Sequence, residues 1–432
     1  MRFMDGGKPF FSVGAQVQNC SSYAPNDMEW AFRAAKTAGI NTLAVPFYWE
    51  QVEPEEGVFD FSQINRFLLR CRKEGLKLAV VWFGAWKDAS MSYAPAWVKE
   101  DPDRFWRVRT HDGEELTVLS PHCPATYEAD WKAFTRLVSF LKKSDQRHHT
   151  VCSIQVENEP GLLGAERDWR PEAEAQLRSP VPAQVVDWVR KVPLSPAYAQ
   201  WQACGARETG DWPALFGDCA AEYMTAYVMA CFLEGLIRGG KSIYDEVPYL
   251  INAALDIAPE WQAPGVSYIA AGPHLAGFPF YKAGAPSADM LTPDLYTAQW
   301  AEFQRTVDLY ARDDNPLFIS EMGPSGPGAA YLFDAVGRAH AVGVHVFGLE
   351  TMVDRDGNPH PGNRETLKSL RILSHAQPLL ERFGASSDVH ALVQQEHQTS
   401  ELVALRGGLT ARVEYGKQPA AYGLFSPNDF LH

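Results

Sequence analysis

Along most of the chain, short apolar runs alternate with stretches of helical period, and polar loops separate the two. Apolar runs of about four to eight residues read as strands, and apolar positions recurring every three or four residues read as helices. The strands predicted this way are Phe10–Val17, Thr42–Phe47, Leu76–Phe83, Val151–Val156, Tyr249–Ala253, Met290–Leu295, Leu317–Ser320 and Val342–Phe347. Helices fall between them. Asp27–Ala38 sets Trp30, Ala31, Ala34, Ala35 and Ala38 on one face, and Ser62–Glu74 does the same with Ile64, Phe67, Leu68 and Cys71. Tyr127–Lys142 and Cys219–Arg238 repeat the arrangement. Eight strand–helix units predict an α/β chain folded as a (β/α)8 barrel. A doubly wound open sheet is the competitor, but the chain carries neither a G-x-G-x-x-G turn nor a Walker lysine.

The spacing also shows where such a barrel is elaborated. Gly84 to Pro124 and Leu162 to Asp218 are too long for simple connections, and loops of that length are usually lids or contact surfaces. They follow the third and fourth strands, and the second has helical pieces such as Ala183–Val189. After about residue 375 the pattern changes to short strands within Val389–Leu405 and Ala411–Tyr415. Residues 1–375 are therefore expected to form the barrel, and 376–432 a small, incomplete β-rich module.

Composition narrows the partners. The chain has 432 residues and a net charge of −14, which excludes nucleic acid and anionic membrane surfaces as expected partners. No apolar run long enough to span a membrane and no signal peptide is read from the sequence, so a cytoplasmic or periplasmic location is expected. Seven cysteines without a C-x-x-C pair read as free thiols. Long loops leave room for a homodimer.

Two strand ends carry the chemistry. Val151 to Val156 runs into Glu157, Asn158 and Glu159 before stopping at Pro160 and Gly161, and Leu317 to Ser320 runs into Glu321 and a Gly turn. A carboxyl at the end of a buried strand is costly unless it is used. Two of them, on strands that face each other in a barrel, form a carboxyl pair of the kind that cleaves glycosidic bonds. Glu157 is the second choice for the acid, since a period of two places it on the same side as Glu159, where it would pair with a cation. Asp294 and Glu350 compete with Glu321.

The run Gln155-Val156-Glu157-Asn158-Glu159-Pro160-Gly161 resembles the acid/base signature of the β-galactosidase-type glycoside hydrolases of families 35 and 42. Phe47 to Phe61, with Trp49, Glu50 and Glu53, and the Glu321 segment are similar too. The resemblance implies a retaining (β/α)8-barrel hydrolase with Glu159 as acid/base and Glu321 as nucleophile. It further implies that Asn158 meets the sugar 2-hydroxyl, that Tyr296 bonds the nucleophile, and that Glu50, Trp49 and Glu350 line the substrate site. Gln18 and Asn19 close the first strand beside that site. The Trp that many members carry near the eighth strand end is missing here.

The expected activity is that of an exo-β-glycosidase, with β-galactosidase first, acting on oligosaccharide ends without a cofactor or metal. A glucosaminidase, an arabinopyranosidase, an endo-acting enzyme and a non-catalytic carbohydrate-binding barrel are the alternatives. His148 and His149 are adjacent and cannot share a helix face, no H-E-x-x-H occurs, and no G-x-S-x-G elbow supports serine hydrolysis.

Overall fold

A computed structural model describes residues 3–23, 25–255, 263–324, 326, 328–384, 389–395, 398–405 and 407–416. Eight parallel strands build the centre: β1 Ser12–Gln16, β2 Thr42–Tyr48, β3 Lys77–Phe83, β4 Val151–Gln155, β5 Tyr249–Ala253, β6 Met290–Leu295, β7 and β8 Gly343–Phe347. β7 comprises two short pieces, Phe318–Ile319 and Glu321–Met322. The first piece pairs with β8 and the second with β6. Because β1 pairs with both β8 and β2, this switch of partner at Ser320 closes the sheet into a barrel. The predicted (β/α)8 fold is what forms.

The main helix after each strand is α1 Pro25–Ala38, α2 Ser62–Glu74, α3 Pro124–Asp145, α4 Ala220–Ile243, α5 Phe278–Gly284, α6 Trp300–Tyr310, α7 Gly328–Gly337 and α8 Arg364–Phe383. The period-two rule sorts the strand residues between two environments. Leu43, Val45, Phe47 and Trp49 pack outward in the core shared with the helices, as do Leu78, Val80 and Trp82. Ala44, Tyr48, Ala79, Val81 and Phe83 form a separate inward cluster.

Deeper in, the interior is small and polar. Ser12 Oγ bonds Thr42 Oγ1 at 2.9 Å and the His345 Nε2 at 2.8 Å. The imidazole lies against Gly14, where any Cβ would come within 2.3 Å of it, so only glycine fits.

Three expectations change. The first predicted strand, Phe10–Val17, splits, because Lys8–Phe10 folds back on Phe3–Asp5 as an antiparallel hairpin. Phe3 then packs with Leu250, Met290 and Phe318 near the N-terminal ends of the strands and plugs the barrel floor. The break expected at 375 falls inside α8, which runs on to Phe383 despite Pro378. Beyond it the described residues contain one hairpin, Ser400–Leu405 with Leu409–Glu414, and the rest of the expected module, 417–432, lies outside them. Finally, the stretch Trp212–Ile243 is long and apolar enough to cross a membrane, contrary to the sequence reading. It is mostly α4, is largely buried, and packs against α3 and α5.

The long loops fold into layers over the C-terminal face. The β3 loop carries the hairpin Arg107–Arg109 and Glu115–Leu119, and the β4 loop carries four short helices between Pro171 and Phe216. All seven cysteines are free thiols.

Candidate active site

Glu321 owes its direction to the break in β7. Ser320 Oγ is turned aside to Asp294 Oδ1 at 2.9 Å and Thr292 Oγ1 at 2.7 Å, and the next residue enters the register of β6. The Glu321 side chain is 3% exposed and accepts on both oxygens. Gln16 Nε2 and Asn158 Nδ2 donate to Oε1 at 3.0 and 3.1 Å, and the Tyr296 hydroxyl donates to Oε2 at 2.7 Å. Three donors from β1, the end of β4 and the end of β6 hold one carboxyl in place.

Glu159 is held differently. The chain leaves β4 at Gln155 and then takes a left-handed backbone at Glu157 (φ 61°) and again at Glu159 (φ 47°). Such conformations are sparse for residues with a Cβ and persist only where the surroundings over-determine them. Here the surroundings are visible. Asn252 Oδ1 accepts the Glu159 N–H at 2.9 Å, and Asn252 Nδ2 is itself anchored on Asp294 Oδ2 at 2.7 Å. Burial pushes the Glu159 carboxyl well above the ordinary carboxylate range. A hydrogen bond to Asp88 and the negative charge of Glu321 push the same way, against the ammonium of Lys87 at 3.7 Å.

The Asn158 side chain reaches Glu321 through Nδ2, while its Oδ1 is buried without a donor. Open space adjoins Glu159: a pocket of about 140 Å³ is lined by it and by Asp294 and Tyr296, with Thr297, Glu302 and Arg305. A hollow of about 180 Å³ beside Tyr23, Tyr48 and Asp60 touches neither carboxyl.

The structure brings together Glu159, Glu321, Asn158 and Tyr296 of the residues read from sequence. Others go elsewhere. Trp49 is fully buried on the helix side of β2, donating to Glu53 Oε2 and packing edge-on against Trp97, so it cannot line a substrate site. Tyr48, one position earlier, faces inward in its place, stacked on Tyr93. Glu50 is bonded by the Tyr23 hydroxyl and by Lys99 at 3.3 Å. Glu350 is fully buried and accepts the Gln18 N–H at 3.0 Å, which ties the β8 loop to the β1 loop. Its Oε1 is buried without a donor. Asn19 Oδ1 is buried without a donor.

Glu157 does not share a direction with Glu159. The left-handed turn breaks the period of two, and its carboxyl accepts the backbone N–H groups of Gly84, Ala85 and Trp86 at 3.2, 3.1 and 2.8 Å. Its other neighbour is an acid, Asp130, not the expected cation. Burial, then the charge of Asp130, pushes Glu157 well above the ordinary range.

Sequence reasoning missed Gln16, Lys87, Asp88 and Asn252. Only Gln16 and Asn252 left a signal, each being a polar residue in an apolar strand run. Asp294, weighed as a nucleophile, supports Asn252 instead.

Residues 19–181 match the family-42 glycoside hydrolase model, described as beta-galactosidase. That segment includes Asn158 and Glu159 but ends long before Glu321. A comparison with curated proteins gives no match. Among solved structures, the beta-galactosidase of the psychrophile Marinomonas ef1 is 13% identical, with a TM-score of 0.57 over 87% of this chain and 61% of its own. The beta-galactosidase of Bacillus circulans sp. alkalophilus is 15% identical, with a TM-score of 0.57 over 87% of this chain and 57% of its own. This chain therefore spans about three fifths of the length of those two enzymes. The catalytic domain of a Paenibacillus polymyxa beta-amylase is 12% identical, with a TM-score of 0.58 over 84% of this chain and 99% of its own. Such likeness shows the barrel and not the sugar. The chain is thus a (β/α)8 barrel whose residues 19–181 are similar to the β-galactosidases of family 42.

Proposed function

We propose that the chain is a retaining exo-β-glycosidase, with a β-galactoside as first substrate. The observation that carries this reading is the contrast between two neighbouring carboxyls. Glu159 is pushed towards its protonated form, whereas Glu321 accepts three hydrogen bonds. Double displacement needs such a division, an acid on one side of the bond and a carboxylate beneath the anomeric carbon.

In the first step Glu321 attacks the anomeric carbon while Glu159 passes its proton to the leaving oxygen. In the second, Glu159 takes a proton from water as that water displaces Glu321 from the sugar. Gln16, Asn158 and Tyr296 orient the nucleophile in both. The long β3 and β4 loops, with their hairpin and four short helices, suit a closed pocket for one terminal ring better than an open cleft, which supports exo action.

The test is release of nitrophenol from a panel of aryl β-glycosides by the wild type, Glu159→Gln and Glu321→Gln. The expected result is turnover on one sugar with retained configuration by NMR. Loss of the acid costs about 10²–10⁴-fold and is rescued by azide, and Glu321→Gln has no turnover. Inverted product, or full activity in Glu321→Gln, would overturn the assignment.

A further inference from the structure

The β3 loop crosses directly over the strand end that carries Glu159. Lys87 forms a bridge with Asn158, the Asp88 N–H donates to the Asn158 carbonyl at 3.2 Å, and the Ala89 N–H donates to the Glu159 carbonyl at 3.4 Å. Asp88 and Ala89 both adopt left-handed backbones, with φ of 50° and 52°. This turn holds two opposite charges against one carboxyl. Lys87, nearly fully buried, is ion-paired with Asp88 and stands 3.7 Å from Glu159 Oε2. The Asp88 carboxyl shares a side-chain hydrogen bond with Glu159.

We propose that Asp88 and Lys87 are a pair of opposed positioning residues for the acid/base Glu159, Asp88 favouring its protonated state and Lys87 its ionised state. This rests on the glycosidase reading above. Two carboxyls in hydrogen-bond contact require a proton between them, and that proton belongs on the more buried partner. The Glu159 side chain is 14% exposed and that of Asp88 49%. Protonated Glu159 thus donates to ionised Asp88, which fixes the direction of its O–H. When the proton moves to the glycosidic oxygen, the carbon–oxygen bond breaks with its electron pair on that oxygen. Two like charges are then left facing each other. Lys87 sits between them and limits the repulsion, so the second step, in which Glu159 recovers a proton from water, starts from a tolerated state. The other groups that act on Glu159 are Glu321, Asp294 and Tyr296, and Tyr93 faces Asp88. Glu302 and Arg305 line the same pocket as Glu159, and Lys87 is the cation ion-paired with it.

The two residues are expected to move the acid limb of the reaction in opposite directions. A general acid acts only while protonated, so the basic limb of kcat/KM follows the Glu159 pKa. Removing a neighbouring like charge lowers that pKa, and removing an opposite charge raises it. Asp88→Asn should therefore shift the basic limb down by about one pH unit, and Lys87→Met should shift it up by a similar amount. The loss in Asp88→Asn should also grow as the leaving group becomes poorer, being larger on the phenyl than on the dinitrophenyl glycoside.

Shifts in the same direction, or a loss independent of the leaving group, would overturn the proposal and leave a merely structural turn. Should Asp88→Asn melt early, Asp88→Ser carries the same test. If the wild type cleaves no aryl glycoside, the glycosidase reading fails on its own. Carboxyl carbon NMR titration of Glu159, wild type against Asp88→Asn, still decides the coupling. A lowered Glu159 titration supports it, and an unchanged one sinks it.

Discussion

The ends of β4 and β7 each deliver a glutamate to the same end of the barrel, and they do so by opposite means. At β7 the backbone stays extended, and the side chain is caught by three donors from three other strand ends. At β4 the backbone itself is bent through two left-handed residues, and the side chain meets another acid. One carboxyl is held by hydrogen bonds. The other is pushed towards its protonated form by burial and like charge. The contrast is sharper still between Glu157 and Glu159, which occupy one turn and are both pushed upward. Glu157 faces three backbone amides and Asp130 in a closed interior, whereas Glu159 faces the pocket. Residue type does not separate them; access does.

The comparison can be broken first at its β7 side. Tyr296→Phe removes the one donor on Glu321 Oε2. A hydrogen bond to a charged group is worth about 1.5–3 kcal/mol, so kcat/KM should fall about ten- to a hundred-fold with little change in melting temperature. An unaffected rate would mean that the β7 carboxyl does not depend on its donors.

The β4 side is tested through stability. Burial raises Asp130 to about 6, with Glu157 raised beside it. A carboxyl raised on folding stabilises the native state below its unfolded pKa, and that contribution is lost as pH climbs through the folded value. The wild type should thus lose stability between about pH 4 and 6, by up to about 3 kcal/mol from Asp130. Asp130→Asn should flatten that slope in thermal melts across the range. A slope that survives the substitution would locate the proton elsewhere.

The smallest effect is expected at Trp49. Trp49→Phe loses the bond to Glu53 and should cost about 1 kcal/mol of stability, with KM for aryl glycosides unchanged. A raised KM would return Trp49 to the substrate site.

Much of this was readable beforehand, for reasons that the misses make clear. Strands β2 and β3 stood out because each is a nearly continuous apolar run, as parallel strands covered on both sides tend to be. Glu159 and Glu321 stood out because a carboxyl after such a run has no cheap alternative to use. Trp49 was misplaced although Phe47 and Trp49 share a face by period two, a rule that also turns Tyr48 inward. Glu157 was misplaced because that same period was carried past Gln155, where the strand ends. Lys87 and Asp88 were invisible, since nothing local marks a loop residue that will fold back over another strand.

The sequence by itself determined the barrel, the order of its strands and the two glutamates at their ends, because periodicity and the cost of burying charge act along the chain. Only the tertiary structure decided which carboxyl holds a proton and which accepts hydrogen bonds. Those states depend on Asp88, Lys87, Gln16, Asn252 and Tyr296, brought in by four other strands and their loops. Electrostatic environment is a property of neighbours in space.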